Sequence, residues 1–175
     1  MQLDTDTGYK HEFLDGVVWA MAGGWPDHAA IAGNILTLLN NQLRDRRCRA
    51  YTSDLRIRVT ATGLGTYPDA CVICDELALD PEDPKGHTVT NPRVIVEVLS
   101  PSTEEYDRGQ KLDHYRQIPS LEEVLLVAHD QQRVQVWRRD GERWSHTEVA
   151  DDGAVELESL GCRLPLAEIY RDPLA

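Results

Sequence analysis

No apolar run in this chain reaches the roughly 18 residues that a bilayer-spanning helix needs, so a helical membrane protein is not expected. The amino terminus also lacks a basic stretch followed by an apolar one, which argues against a secretory leader and leaves the cytoplasm as the expected location. No internal repeat, low-complexity tract or linker interrupts the 175 residues, a length that suits one domain built on one core. Cysteine is scarce, and of Cys48, Cys71, Cys74 and Cys162 only Cys71 and Cys74 have C-x-x-C spacing, with no second pair. Residues three apart in a strand face opposite sides, so these two are poorly placed to share a zinc ion. Free buried thiols in a reducing compartment are the expectation.

Positive charge is the remaining deficit. Eighteen Lys and Arg stand against 30 Asp and Glu, giving a net charge of −12 that repels DNA at long range. The imbalance is uneven, because Asp75, Glu76, Asp80, Glu82, Asp83, Asp151, Asp152, Glu156 and Glu158 fall in apparent loops or the carboxyl-terminal part. Arginines gather at Arg44-Asp45-Arg46-Arg47-Cys48-Arg49, at Arg56 and Arg58, and at Arg138-Arg139. Such clusters suit a local phosphate-binding face with salt-dependent binding. For the first cluster a solvated helix end is the simpler account, and both readings stay open.

What the chain does have is an almost unbroken apolar strand, Val94-Ile95-Val96-Glu97-Val98-Leu99, of the kind covered on both faces. Its one carboxylate needs a cation or a proton to offset the cost of burial. Alternation places Glu97 on the face of Ile95 and Leu99, opposite Val94, Val96 and Val98. Upstream, Tyr67-Pro68-Asp69 opens a second apolar strand, Ala70 to Cys74. Two carboxylates on neighbouring strands can hold a hard divalent cation, magnesium or manganese, that keeps several waters. The plainer readings are a turn acid after proline for Asp69 and a buried salt bridge to an arginine for Glu97.

After this strand, Ser102 and Glu105 form a capping-box signature for a helix running to about Gln117, before Pro119. Asp107, Lys111 and Tyr115 recur every four residues near one stripe of it, so Lys111 can lean over the carboxylates. The alternative is an ordinary Asp107–Lys111 surface pair. His28 sits on the apolar stripe of an earlier helix, with Ile31, Ile35, Leu38, Leu39 and Leu43. A histidine there is either a core residue satisfied by one hydrogen bond or a ligand.

Coarse patterning gives a hairpin over 11–22 around Asp15-Gly16, a helix over 27–44 and strands at 49–52 and 56–60 ahead of the two acid-bearing strands. The polar segment 75–90, with Pro81, Pro84 and Gly86, reads as a lid or mobile excursion. Strands at 123–128, 133–138 and 143–149, separated by turn residues, form an antiparallel meander, and 161–170 closes with a short strand and a helical turn. The expected class is α/β, a mixed sheet flanked by helices with an antiparallel carboxyl-terminal meander.

Tyr67-Pro68-Asp69, Pro92 to Val98 with Glu97, Leu99-Ser100-Pro101-Ser102, and Asp107, Lys111 and Tyr115 together resemble the Uma-type restriction endonucleases of the PD-(D/E)xK nuclease superfamily. The likeness runs from about His11 to Tyr170 and includes His11 to Gly16 and Pro26-Asp27-His28. It implies a restriction-endonuclease-like core and a Mg2+- or Mn2+-dependent phosphodiesterase site. Asp69 and Glu97 match its acidic ligands, and the Val98 carbonyl would be a further one. The superfamily's lysine two residues after the second acid is Leu99 here, and Lys111 is the replacement that relatives with a displaced lysine suggest. Glu12, at the family's early glutamate position, would add a ligand through water or be an exposed strand residue. His28 becomes a group supporting the ligands or touching substrate. The reading that follows is a metal-dependent endonuclease acting on DNA, expected as a homodimer because two sites related by a two-fold axis most simply make two cuts. The alternatives are a catalytically silent module of the same fold that binds nucleic acid or protein, and a hydrolase of small phosphoesters.

Overall fold

The computed structural model describes residues 10–14, 17–20 and 25–172. Its amino-terminal hairpin pairs β1 (His11–Leu14) with β2 (Val17–Ala20), Leu14 opposite Val17; the Asp15-Gly16 turn, Met21 and Ala22 lie outside the described residues. Pro26 and Asp27 suit a first helical turn and open α1 (Pro26–Leu43), one residue from the expected start. Ile31, Ile35, Leu39 and Leu43 recur every four residues and form its buried stripe.

The chain continues through β3 (Cys48–Thr52), β4 (Arg56–Val59), β5 (Leu64–Thr66), β6 (Ala70–Cys74), β7 (Thr88–Val89) and β8 (Val94–Val98). A composite helix α2 follows, with an α turn at Glu104–Tyr106, a π segment at Asp107–Lys111 and an α turn at Leu112–Tyr115. Then come β9 (Glu123–Val127), β10 (Arg133–Asp140), β11 (Arg143–Ala150), β12 (Ala154–Leu157), β13 (Cys162–Pro165) and a closing turn α3 (Leu166–Ile169).

Six strands form the central sheet in the order β11-β10-β9-β8-β6-β3. Only β8 and β9 are parallel neighbours in it, and β9-β10-β11 is the expected meander. A second sheet, β2-β1-β5-β4-β7, takes in the 56–60 strand; β5 and β12 had no clear pattern in the sequence. Each face of the central sheet has its own core. Val94, Val96 and Val98 meet the α1 stripe with β12, β13 and α3, while Ile95 and Leu99 meet Ile57, Val59 and Leu64 of the second sheet and Leu112 and Tyr115 of α2. Glu97 belongs to the latter face, as alternation requires.

Three expectations fail. The 75–90 segment is pinned rather than free: β7 pairs with β4, and the buried Arg56 donates from Nε to Thr88 Oγ1 at 2.7 Å and from Nη2 to Asp83 Oδ2 at 2.9 Å. A buried guanidinium demands such partners, and this segment's acids supply one. Ser102 does not cap α2. Thr103 takes the cap position without a side-chain bond, and the Ser102 hydroxyl lies 3.1 Å from that of Ser100, a local pairing that competes with capping. Finally, Cys48 and Cys74 form a disulfide instead of remaining free, because antiparallel β3 and β6 set them directly opposite each other. Cys71 and Cys162 are free and buried, and Cys71 faces the opposite core from Cys74.

Candidate active site

The antiparallel register Ala70↔Val96 sets Asp69, one residue before β6, across from Glu97 on β8. Asp69 is fixed from two sides. The Val98 N–H donates to its Oδ2 at 2.7 Å, and His28 Nε2, reaching over from the first turn of α1, lies 3.2 Å from the same oxygen. His28 also hydrogen-bonds the Val98 carbonyl; the bond to Asp69 leads the causes that raise its pKa, against the opposing effect of burial. Asp69 and His28 are thus paired with each other at the end of the sheet.

Glu97 is 4% exposed and meets a lysine rather than an arginine. Lys111 Nζ lies 3.0 Å from Glu97 Oε1, 3.0 Å from Glu12 Oε1 and 3.4 Å from Asp107 Oδ1. The Tyr115 hydroxyl donates to Glu97 Oε1 at 2.5 Å, and the Thr66 hydroxyl donates to Glu12 Oε1. Asp107 and Lys111 are each 5% exposed, so they are not a surface pair. Glu12, 9% exposed, is not a solvated strand residue either.

Burial pushes Glu97 up to about 8, against the downward pull of Lys111 and with help from Asp69 and Asp107. Burial works against the Lys111 charge as well, yet the surrounding acids, Glu97 foremost, hold its pKa well above the ordinary value. Burial and then Glu97 raise Tyr115, so the phenol stays protonated and donating. Tyr106 is carried up to about 12 by burial and by Glu12. Neither Thr66 nor Tyr106 stood out in the sequence. The one available signal was that Thr66 immediately precedes Tyr67-Pro68-Asp69.

The residues carried by the nuclease resemblance thus fall into two adjoining groups: Asp69, His28 and the Val98 backbone, and Glu97, Lys111, Asp107, Tyr115 and Glu12. Among the described residues no three His, Cys, Asp or Glu side chains are arranged to hold a metal ion unaided. The donors nevertheless suit magnesium or manganese. Lys111 and Tyr115 both engage Glu97 Oε1, and Val98 and His28 both engage Asp69 Oδ2. Among the described residues Glu97 Oε2 and Asp69 Oδ1 accept no hydrogen bond. Two hard oxygens and a backbone carbonyl, completed by water, are ordinary for these cations.

This sheet, with paired acids at one strand end and a lysine on the following helix, is a restriction-endonuclease-like nuclease fold. A protein from Anabaena variabilis, whose crystal structure is described as that of a "putative nuclease belonging to DUF820", superposes with a TM-score of 0.74 over 94% of this chain and 91% of its own, at 20% identity. Residues 1–167 match the Uma2 family, described as "Putative restriction endonuclease", and the chain belongs to that family. Two Synechocystis relatives bear the names "Uncharacterized protein slr1290" and "Uncharacterized protein sll1609". The first is 38% identical over 93% of this chain and 84% of its own; the second is 34% identical over 90% and 88%. No helix among the described residues is long and apolar enough to cross a membrane.

Proposed function

We propose that the protein is a metal-dependent endonuclease that hydrolyses DNA phosphodiester bonds with Mg2+ or Mn2+. The carrying observation is a charge imbalance in a cluster whose Glu12, Glu97, Asp107 and Lys111 are buried and whose Asp69 and His28 are partly so. Glu12, Asp69, Glu97 and Asp107 bring four carboxylates together, while Lys111 and a protonated His28 bring two positive charges at most. The difference is the charge of one divalent cation, and without one the remedy is protonation, which the raised Glu97 pKa reflects.

Asp69, Glu97 and the Val98 carbonyl would hold the cation, with His28 orienting Asp69 and the Val98 carbonyl from behind. When bound, the cation supplies Lewis-acid polarisation of the phosphate and lowers the pKa of water. Lys111 would contact the attacking water or a phosphoryl oxygen and stabilise negative charge as it develops. Glu12, Asp107 and Tyr115 keep that ammonium charged and in place, which a buried lysine otherwise resists. A two-fold dimer would present two such sites to a duplex; light scattering giving the mass of one chain would remove the dimer without touching the chemistry.

The test is cleavage of duplex, nicked, branched and single-stranded DNA at low salt with Mn2+ or Mg2+, using wild type, Asp69→Ala, Glu97→Ala and Lys111→Ala. Loss of activity in all three variants supports the assignment. Activity persisting in Asp69→Ala or Glu97→Ala would overturn the site. Turnover of small phosphodiesters without DNA cleavage would replace the substrate class.

A further inference from the structure

Two of the three arginine clusters are consumed internally. Arg56 holds Thr88 and Asp83; Arg138 contacts Glu123 and the Glu156 carbonyl; Arg139 donates to the carbonyls of Leu121, Arg116 and Ile118. The third differs. Where α1 ends and β3 begins, a groove of about 480 Å³ carries Arg44, Arg46, Arg47 and Arg49 on its lining against Asp75 and Glu76. Arg46 is tied to the Leu160 and Gly161 carbonyls, and Arg47 pairs with Asp75 at 3.0 Å. The exposed side chains of Arg44 and Arg49 have no hydrogen bond or ion pair among the described residues. In a chain of net charge −12, two unpaired guanidiniums sharing one concavity leave a local positive site. Leu43, Tyr51 and Ile73 add apolar and aromatic surface.

Its position relates it to the candidate active site. Arg49 pairs with Ile73, four residues beyond Asp69 along β6, and β3 is the edge strand of the central sheet, so the groove lies at that edge rather than on the buried face between the strands. At about 3.3 Å per residue the separation is about 13 Å, roughly four nucleotides of one DNA strand.

We infer that this groove, through Arg44 and Arg49, holds the phosphodiester backbone of a nucleic-acid strand whose scissile bond lies at Asp69 and Glu97. The inference rests on the hydrolase reading above and adds where the substrate is gripped. The guanidinium pairs with phosphate oxygens through two parallel N–H donors, and a half-buried tyrosine gives a flanking base a surface to stack on.

The test measures anisotropy of a labelled 24-nucleotide strand and its duplex in EDTA across a salt series. It compares wild type with Arg44→Gln/Arg49→Gln, and with Arg143→Gln as a control at an exposed arginine outside the groove. Both groove positions are exposed, and a melting curve verifies that folding is intact. The expected result is roughly tenfold weaker binding for the double variant, with the log–log salt slope reduced by about 2 and the control unchanged. Metal-dependent cleavage by wild type with equal binding by all three proteins overturns the groove and leaves the hydrolase standing. Displacement of DNA by inorganic phosphate at constant ionic strength would reassign the groove to a free anion. DNA that neither binds nor is cleaved overturns both readings.

Discussion

Replacing Glu97 with glutamine tests the electrostatics on which the site depends. Burial moves this carboxyl from 4.5 to about 8. The unfolded chain therefore sheds the proton near pH 4.5 while the folded protein keeps it to about pH 8. Between those values the folded state binds the extra proton, so stability is full below pH 4.5 and falls as pH rises to about 8. At about 1.4 kcal/mol per pH unit, the loss at pH 7 is about 3 kcal/mol. Glutamine is uncharged at every pH and should remove this slope.

Metal-free Glu97→Gln should therefore be more stable than wild type at pH 7 by at most about 3 kcal/mol, or roughly 6–12 °C in Tm for a chain of this size. Lys111 keeps Glu12 and Asp107 as partners in the variant, which limits the offsetting loss. Urea and thermal unfolding in EDTA at pH 5.5, 7 and 8.5 would show the gap widening with pH. Parallel profiles, with the variant less stable throughout, would refute the reasoning, because Glu97 would then be ionised and satisfied by Lys111. Manganese at roughly 100 times its Kd should stabilise wild type by about 3 kcal/mol and leave the variant unmoved.

Lys111→Met should destabilise the protein by about 3–5 kcal/mol in urea at pH 7, because the buried Glu12 and Asp107 lose their shared cation, and should abolish cleavage; unchanged stability would show that the ammonium does not hold these acids. His28→Ala should weaken manganese binding by calorimetry about tenfold, since it frees both Asp69 and the Val98 carbonyl. Reducing Cys48–Cys74, or Cys48→Ser, should cost about 3 kcal/mol by opening a crosslink that spans 26 residues, read as a lower Tm under reducing conditions.

Periodicity exposed the parts of the fold in which one face is uniformly apolar. The α1 stripe, the doubly covered β8 and the alternating β10 all carry that signal locally, and each was legible within a residue or two. What was missed depends on pairing between distant segments. Cys48 meets Cys74 only because of the β3–β6 register. The 75–90 segment is held by an arginine 27 residues before its partner Asp83. Glu12 shows the same limit at the site. Its own neighbourhood reads as a hairpin strand, and nothing near it announces that Lys111, 99 positions later, will sit 3.0 Å away. The resemblance to known nucleases named candidate residues, but their burial and mutual pairing became visible only in three dimensions.

A lysine at position 111 and a leucine at position 99 each have a physical explanation in the packing around Glu97. Leu99 is 1% exposed in the core shared with Ile57, Leu64 and Leu112, where an ammonium would have to displace apolar packing. Lys111 instead approaches Glu97 from above, on a helix whose middle is a π segment. In a regular α-helix each four-residue step overshoots a full turn by about 40°, so Asp107, Lys111 and Tyr115 would spread around the helix. A π turn takes more residues to close, so the step from Asp107 to Lys111 falls short of a full turn, while the α step from Lys111 to Tyr115 overshoots it. The two deviations oppose each other and bring three polar side chains onto one buried line above Glu97. A π segment is an uncommon insertion in a helix and is frequently found at functional sites. Here it supplies the register that brings a helix lysine to within 3.0 Å of Glu97. Deleting one residue within 108–110 should rotate Lys111 away from Glu97 while leaving α2 helical. Retention of manganese binding with loss of cleavage would then separate the lysine's catalytic role from the acids' hold on the cation, whereas cleavage at the wild-type rate would remove Lys111 from the mechanism.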